Sequence, residues 1–372
     1  MATIKSVQSG TVTIADNSAS NTATITSVAT DKAFLMFTVR HNNASTVEQS
    51  RDLQVRGVLT NSTMVTFDRD SAASGQGTCV VSWFVIEYTS GVTVQRGTVA
   101  GINATTHNVT ISAVTLAQSW PIVSEQGATG NEYAASDTIQ AEITTTTNLA
   151  LTNAANAFSC DFAWQVINYT DASVQKITKD LTNTGISQTS TITSVTMAQT
   201  FLQGSYYQGT VGTIWPGQWW TAYLSDATTI TYTCYENQGK DNNAIVYVIS
   251  CSDFGVTRYQ TSLTSSQTSN TQTVNPAISD TNKAFLKIGS LHHNSWMRVT
   301  ENPWNDPWND VYRKVQINGV ITDTSTLTFE RGESGYAGDV YSELIQIAAG
   351  SSSNNIAAKM YYYRKMKNKS II

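Results

Sequence analysis

The chain repeats itself, and a long internal repeat restricts the fold more than any single residue does. Ser62-Thr63-Met64-Val65-Thr66-Phe67-Asp68-Arg69 returns as Ser325-Thr326-Leu327-Thr328-Phe329-Glu330-Arg331. Val7-Gln8 reappears as Val94-Gln95, Val174-Gln175 and Val256-Thr257, at steps of 87, 80 and 82 residues. Ile25-Thr26-Ser27-Val28 matches Ile111-Ser112-Ala113-Val114 and Ile192-Thr193-Ser194-Val195. Asp31-Lys32-Ala33-Phe34-Leu35 parallels Asn282-Lys283-Ala284-Phe285-Leu286, His41 parallels His292, and the run Cys79 to Trp83 matches Cys160 to Trp164. A unit of roughly 80 to 95 residues suits a β-sandwich able to bury its own core. The expectation is an all-β chain of four tandem antiparallel β-sandwich modules at 1–91, 92–172, 173–255 and 256–349, followed by a basic tail at 350–372.

Local patterning agrees. Apolar and polar residues alternate in Thr11-Val12-Thr13-Ile14, Thr22-Ala23-Thr24-Ile25 and Thr229-Ile230-Thr231-Tyr232, and period two marks half-buried strands. Only 13% of residues are charged against 40% hydrophobic, and the abundance of Thr, Ser, Asn and Val favours pleated sheets with polar outer faces. No apolar run approaches the length of about 18 residues that spans a bilayer. The start, Met1-Ala2-Thr3-Ile4-Lys5, lacks the apolar core of a signal peptide, so synthesis and assembly in a cytoplasm are expected. The four Cys fit a reducing compartment. Cys79 and Cys160 occupy equivalent places and read as core residues. A hairpin folded about Gly239 would set Cys234 opposite about Ile245 and leave Cys251 roughly 20 Å farther along its strand, too far for a disulfide.

Charge is uneven. The total is −5, yet Lys359, Arg364, Lys365, Lys367 and Lys369 place +5 in the last stretch, leaving −10 on residues 1–358. An acidic body disfavours nucleic acid as a partner of the modules. The tail alone has the charge to meet an acidic partner or nucleic acid, and its plainer reading is a solvated terminus.

One strand in each module carries a second message. In Cys79-Val80-Val81-Ser82-Trp83-Phe84-Val85-Ile86, Val81, Trp83 and Val85 share one face while Val80, Phe84 and Ile86 make the other apolar too. Ala244 to Ile249 is similarly two-sided, whereas module two sets Asp161 and Gln165 outward. A sandwich strand needs one apolar face, so the second face is expected to meet another module or another subunit. Val80, Phe84 and Ile86 are the expected oligomer face.

Three runs then resemble the H-type lectin family in order and spacing: Val7-Gln8-Ser9-Gly10, Val47-Glu48-Gln49-Ser50-Arg51-Asp52-Leu53-Gln54-Val55, and Val81-Ser82-Trp83-Phe84-Val85-Ile86-Glu87. The resemblance covers module one and reaches the others through their likeness to it. It implies a six-stranded antiparallel sandwich, a homotrimer assembled through sheet faces, and binding of N-acetylgalactosamine-type sugars. The sugar-binding members place an Arg where this chain has Gln54, and a Trp-His pair where it has Asp68 to Ser74, so the fold is carried over and the sugar site is not.

Catalytic motifs are not found: no His-Glu-x-x-His, no Gly-x-Ser-x-Gly, no Cys-x-x-Cys and no phosphate-cradling Gly loop. His41, His107, His292 and His293 are scattered, and adjacent His on a strand face opposite sides. Glu301 with Asp306, or Glu330 with Glu333, are acidic pairs of an ordinary kind. Neither an enzyme, a metal site nor a cofactor is expected.

The sharper signals are two aromatic insertions. One is Ile214-Trp215-Pro216-Gly217-Gln218-Trp219-Trp220, and the other runs from Trp296 through the duplicated Pro303-Trp304-Asn305-Asp306 and Pro307-Trp308-Asn309-Asp310. Indole faces stack on sugar rings and Asn or Asp bind hydroxyls; the plainer reading is that these Trp cover an interface or pin a loop. The candidate glycan- or partner-binding residues are therefore Trp296, Trp304, Asp306, Trp308, Asp310, Trp215, Trp219 and Trp220. A signal-less, Thr/Ser-rich chain of tandem sandwiches with trimer-like faces resembles a tailed-phage virion protein. That resemblance implies a non-enzymatic appendage that contacts other virion proteins and host-surface carbohydrate, with a virion location after assembly in the host cytoplasm. Two alternatives stand beside it: a capsid-decoration or tail-scaffold protein binding only virion proteins, and a free-standing lectin or adhesin.

Overall fold

The structure, a computed structural model, describes residues 2–42, 54–70, 77–101, 105–127, 138–153, 161–182, 185–208, 219–236, 242–291, 296–301 and 313–348. It is nearly all β. The first six strands are β1 (Thr3–Ile14), β2 (Ser20–Thr24), β3 (Ala33–Asn42), β4 (Arg56–Asn61), β5 (Met64–Asp68) and β6 (Thr78–Ser90). They pair antiparallel as β1-β6-β3 and β2-β5-β4, two sheets closed over Ile14, Leu35, Phe67, Val81 and Trp83. The same order recurs along the chain. It returns through β7 (Val92–Val99), β8 (Thr106–Thr110), β9 (Ser119–Glu125), β10 (Gln140–Thr145), β11 (Asn148–Thr152) and β12 (Phe162–Tyr169). It returns again through β13 (Ser173–Asp180), β14 (Ser187–Thr191), β15 (Thr200–Gln208), β16 (Thr221–Asp226), β17 (Thr229–Thr233) and β18 (Asn242–Ser250). The last set is β19 (Phe254–Leu263), β20 (Ser269–Thr273), β21 (Ala284–Ile288), β22 (Arg298–Val299), β23 (Asn318–Asp323), β24 (Thr326–Glu330) and β25 (Gly338–Ile347), where β22 pairs with β25 beyond the end of β21.

The sequence repeats have local causes. Gln8 donates from Nε2 to Thr26 O at 2.9 Å and accepts from Thr26 N at 2.7 Å. Gln95 does the same with Ser112, and Gln175 with Thr193. The recurring Val-Gln and Ile-Thr-Ser-Val runs are thus two halves of one clasp, in which a side-chain amide completes an irregular backbone segment. Ile25 and Val28 in turn donate to the carbonyls of the β4–β5 turn, Thr63 and Ser62. In the fourth set the donors are Val274 and Ile278, one residue farther apart, with Asn275-Pro276 between them and Thr257 where the Gln would stand.

The returning Arg is equally structural. Arg69 donates to the carbonyls of Ser18 and Ala15 at 3.0 and 2.9 Å, and Arg331 donates to those of Gln267, Thr264 and Lys314 at 2.5 to 2.8 Å. Both are buried, which a guanidinium tolerates when its donors meet carbonyl oxygens.

Directly paired residues trade volume. Gly10 faces Trp83 and Gly97 faces Trp164, whereas Ile177 faces Val246 and Tyr259 faces Ser342. A Cβ on Gly10 would stand 2.6 Å from the indole, and one on Gly97 2.8 Å. Large opposite small, or medium opposite medium, fills each site once.

The outer faces of β1-β6-β3 and its three counterparts turn toward one another and close a ring. The short 3-10 helix before β3 (Thr30–Lys32) touches β7, that before β9 (Leu116–Gln118) touches β13, that before β15 (Met197–Gln199) touches β19, and that before β21 (Thr281–Lys283) returns to β1. Phe34, Trp120, Phe201 and Phe285 hold equivalent places on β3, β9, β15 and β21. Their rings meet at centroid distances of 6.0 to 6.3 Å in the pairs Trp120–Phe201, Phe201–Phe285 and Phe285–Phe34, all edge to face. Below them a cavity of about 40 Å³ lies on the axis, lined in part by Met36, Ile122, Gln203 and Lys287, again one from each set.

Several sequence expectations change here. Phe84 and Ile86 lie in this central core, 2% and 0% exposed, and Val80 is buried at 8%; of the two partners expected for the second apolar face, another module or another subunit, Phe84 and Ile86 meet the chain's other sets. Gln165 points outward from its sandwich as expected but not into solvent. Its Nε2 donates to Leu35 O and its Oε1 accepts from Leu35 N, both at 2.9 Å, so the amide seals the free edge of β3. β17 and β18 belong to opposite sheets, so these two strands do not pair and do not set Cys234 opposite Ile245; Gly239 itself lies outside the described residues. Cys79, Cys234 and Cys251 are buried; Cys160 lies outside the described residues. The pairing register sets Val299 opposite Gly338 as it sets His41 opposite Cys79, so Val299 is the counterpart of His41, and His292 lies outside the described residues. No helix among the described residues is long and apolar enough to cross a membrane.

Candidate functional site, the seam between the third and fourth sets

Three seams share one bond. Gly57 N donates to Ser124 Oγ at 3.1 Å, Ala141 N to Ser205 Oγ at 2.8 Å, and Gly319 N to Thr38 Oγ1 at 3.0 Å. Each joins the β4-type strand of one set to the β3-type strand of the next. At the remaining seam the counterpart of Thr38 is Gly289, which has no hydroxyl. Its φ is +60°, a conformation glycine adopts without strain, and β21 ends one residue earlier.

The chain leaves the sheet at Gly289 and rejoins it at Arg298. What it carries out crosses the seam. Leu291 enters the core of the third sandwich beside Trp220, Tyr206 and Cys234. Gly204 allows this approach, since a Cβ there would be 3.1 Å from Leu291 Cδ2. Trp296 meets Trp219 with ring centroids 3.9 Å apart. Trp219, Trp220 and Trp296 are 3%, 2% and 6% exposed, so these three indoles are spent on packing and offer no open face to a sugar. Trp215, Trp304, Asp306, Trp308 and Asp310 lie outside the described residues.

The departure of the strand opens a cavity of about 210 Å³ on this seam. Tyr223 and Tyr341 stack across it at 4.7 Å with an interplanar angle of 9°. Leu224 and Ala222 contribute apolar wall from β16, and Tyr259, Ser290 and Ser342 contribute hydroxyl-bearing wall from the fourth set. Ser342 is 3% exposed and its Oγ has no hydrogen-bond partner among the described residues. Burial, with Tyr223 adding to it, pushes the Tyr341 phenol up to about 12.

The charged groups of the cavity neutralise each other. Arg258 Nε lies 3.2 Å from Glu343 Oε1, while Glu343 Oε2 accepts from Leu202 N at 3.1 Å. Arg258 also donates from Nη1 to Met197 O at 2.8 Å and from Nη2 to Thr200 O. Arg96 and Gln165 make the equivalent contacts at the first seam, to Ala33 and Leu35. A carboxylate in place of the amide accepts one backbone bond but cannot return one, and the guanidinium takes its second oxygen.

The sequence pointed to tryptophans on this seam but not to the cavity residues. Their signal was a departure from the repeat: Gly289 where a hydroxyl recurs, and Glu343 where Phe84, Gln165 and Tyr247 stand. Among the described residues no group of three His, Cys, Asp or Glu is placed to hold a metal ion. No protein-family model matches the chain, and no curated protein sequence matches it.

Proposed function

We propose that the chain is a non-enzymatic structural protein of a tailed-phage-like virion, a self-contained β platform that meets other virion proteins and carries aromatic loops as contact points. The observation that supports this most is the ring. All four large sheets turn their outer faces inward, so apolar surface that elsewhere drives subunit assembly is consumed within one chain, and recognition falls to edges and loops. The buried Trp219, Trp220 and Trp296 favour protein packing over sugar stacking for the described part of the insertions. Glycan contact remains as a second reading through the duplicated Pro-Trp-Asn-Asp sequence at 303–310, where indole and carboxylate recur together, in keeping with the H-type lectin resemblance.

Mass spectrometry of particles purified through a density gradient tests the first reading: the chain should be present at fixed stoichiometry to the capsid protein, and its absence from intact particles overturns it. For the second, a glycan array with the purified chain should respond, and Trp304→Ala with Trp308→Ala should abolish the response. An unresponsive array removes the glycan reading and leaves the structural one.

A further inference from the structure

The geometry points to the cavity between the third and fourth sets as a binding site for a single neutral aromatic ring bearing a hydrogen-bonding edge, of the phenol or indole class. The inference goes beyond the structural role and does not depend on it.

Three observations carry it. The cavity is specific to this seam: the other three are closed by a hydroxyl-to-amide bond, and here Gly289 removes the hydroxyl and turns the strand away. Its size selects one ring. About 210 Å³ admits one ring with a substituent and is well below the volume that holds an oligomeric ligand. Its walls are graded. The parallel pair Tyr223 and Tyr341 gives an aromatic surface for offset or edge contact, Leu224 and Ala222 are apolar, and Ser290 with the unpartnered Ser342 hydroxyl offers hydrogen bonds. Arg258 and Glu343 form an ion pair with each other and bond to backbone, so a charged ligand finds no uncompensated counter-ion there and a neutral one disturbs no charge balance.

The test is isothermal titration of the full chain with p-cresol, toluene and N-acetyltyrosinamide. p-Cresol should bind at millimolar concentration and toluene about tenfold more weakly, since the hydroxyl contributes a hydrogen bond to a buried partner. Ser290→Phe, which fills the cavity, should abolish p-cresol binding, and Tyr223→Leu, which removes one wall, should weaken it about tenfold; thermal melts of both variants establish that they fold. N-acetyltyrosinamide binding as tightly as p-cresol identifies a tyrosine side chain of a partner protein as the source of the ring, and p-cresol binding alone identifies a free small molecule. No binding of p-cresol, equal binding of toluene, or binding that survives in both variants overturns the assignment.

Discussion

Lys287 shows how the repeat tolerates a residue that the core disfavours. It stands where Met36, Ile122 and Gln203 stand in the other sets, 6% exposed beside the axial cavity, with its Nζ donating to Gly289 O. Burial pulls its ammonium from 10.5 down to about 8, with Glu343 opposing. The sign follows from where the proton binds. Between about pH 8 and pH 10 the unfolded chain holds a proton that the folded chain has lost, so stability rises with pH across that window. Below pH 8 both states hold it, and the cost of the buried charge is fully present. Lys287→Met, which restores the residue of the first set, should raise stability at neutral pH by about 2 kcal/mol and abolish the rise. Urea midpoints measured from pH 7 to pH 10 check both; a variant less stable at pH 7 would mean that the bond to Gly289 outweighs the desolvation.

At the scale of elements, seams and paired strands make different demands, and both are visible at glycines. Gly332 follows β24 and lies against the first set, where a Cβ would stand 1.8 Å from His41 O. Backbone cannot yield by that much, so Gly332→Ala should cost roughly 3 kcal/mol, whereas Gly255→Ala, with its nearest atom at 3.7 Å, should cost under about 1 kcal/mol. Denaturant unfolding of the two variants makes the comparison within one chain. Gly10→Ala should destabilise by roughly 2 kcal/mol through Trp83, and Trp83→Val should recover part of that loss, because Ile177 with Val246 shows that two medium residues suit the same pair. The expected signature is a double-mutant coupling of about 1 kcal/mol or more. The strands and the clasps were legible in the sequence because they are local: alternation fixes a strand, and Gln8 reaches Thr26 within one set. The seams were not legible. Gln165 bonds Leu35 across 130 residues, and nothing in the periodicity of β12 separates an outward Gln that faces water from one that faces a second sheet. The same limit applies to Trp219 and Trp296: a sequence records how aromatic a loop is and not whether its rings are already covered, as theirs are.

At the scale of the whole molecule, a chain that closes its own ring has little reason to trimerise through the faces it has buried. Light scattering on the purified chain should return 40.4 kDa, the mass of a monomer, and a stable trimer would require a contact built from edges or loops. Ring closure also predicts how the molecule unfolds. Tandem modules joined only in series lose stability unit by unit, but here Phe201 touches Trp120 of the preceding set and Phe285 of the following one, so beside the sandwich cores of the single sets there is a central core that all four share. Phe201→Ala should cost about 3 to 5 kcal/mol, the range for a buried Phe truncated to Ala, and the loss should fall on the whole ring. Differential scanning calorimetry should show a single endotherm in the parent chain, displaced as one peak to lower temperature in the variant. An endotherm that splits, with three-quarters of the enthalpy left in place, would mean that the axis joins four independent sandwiches and does not bind them into one cooperative unit.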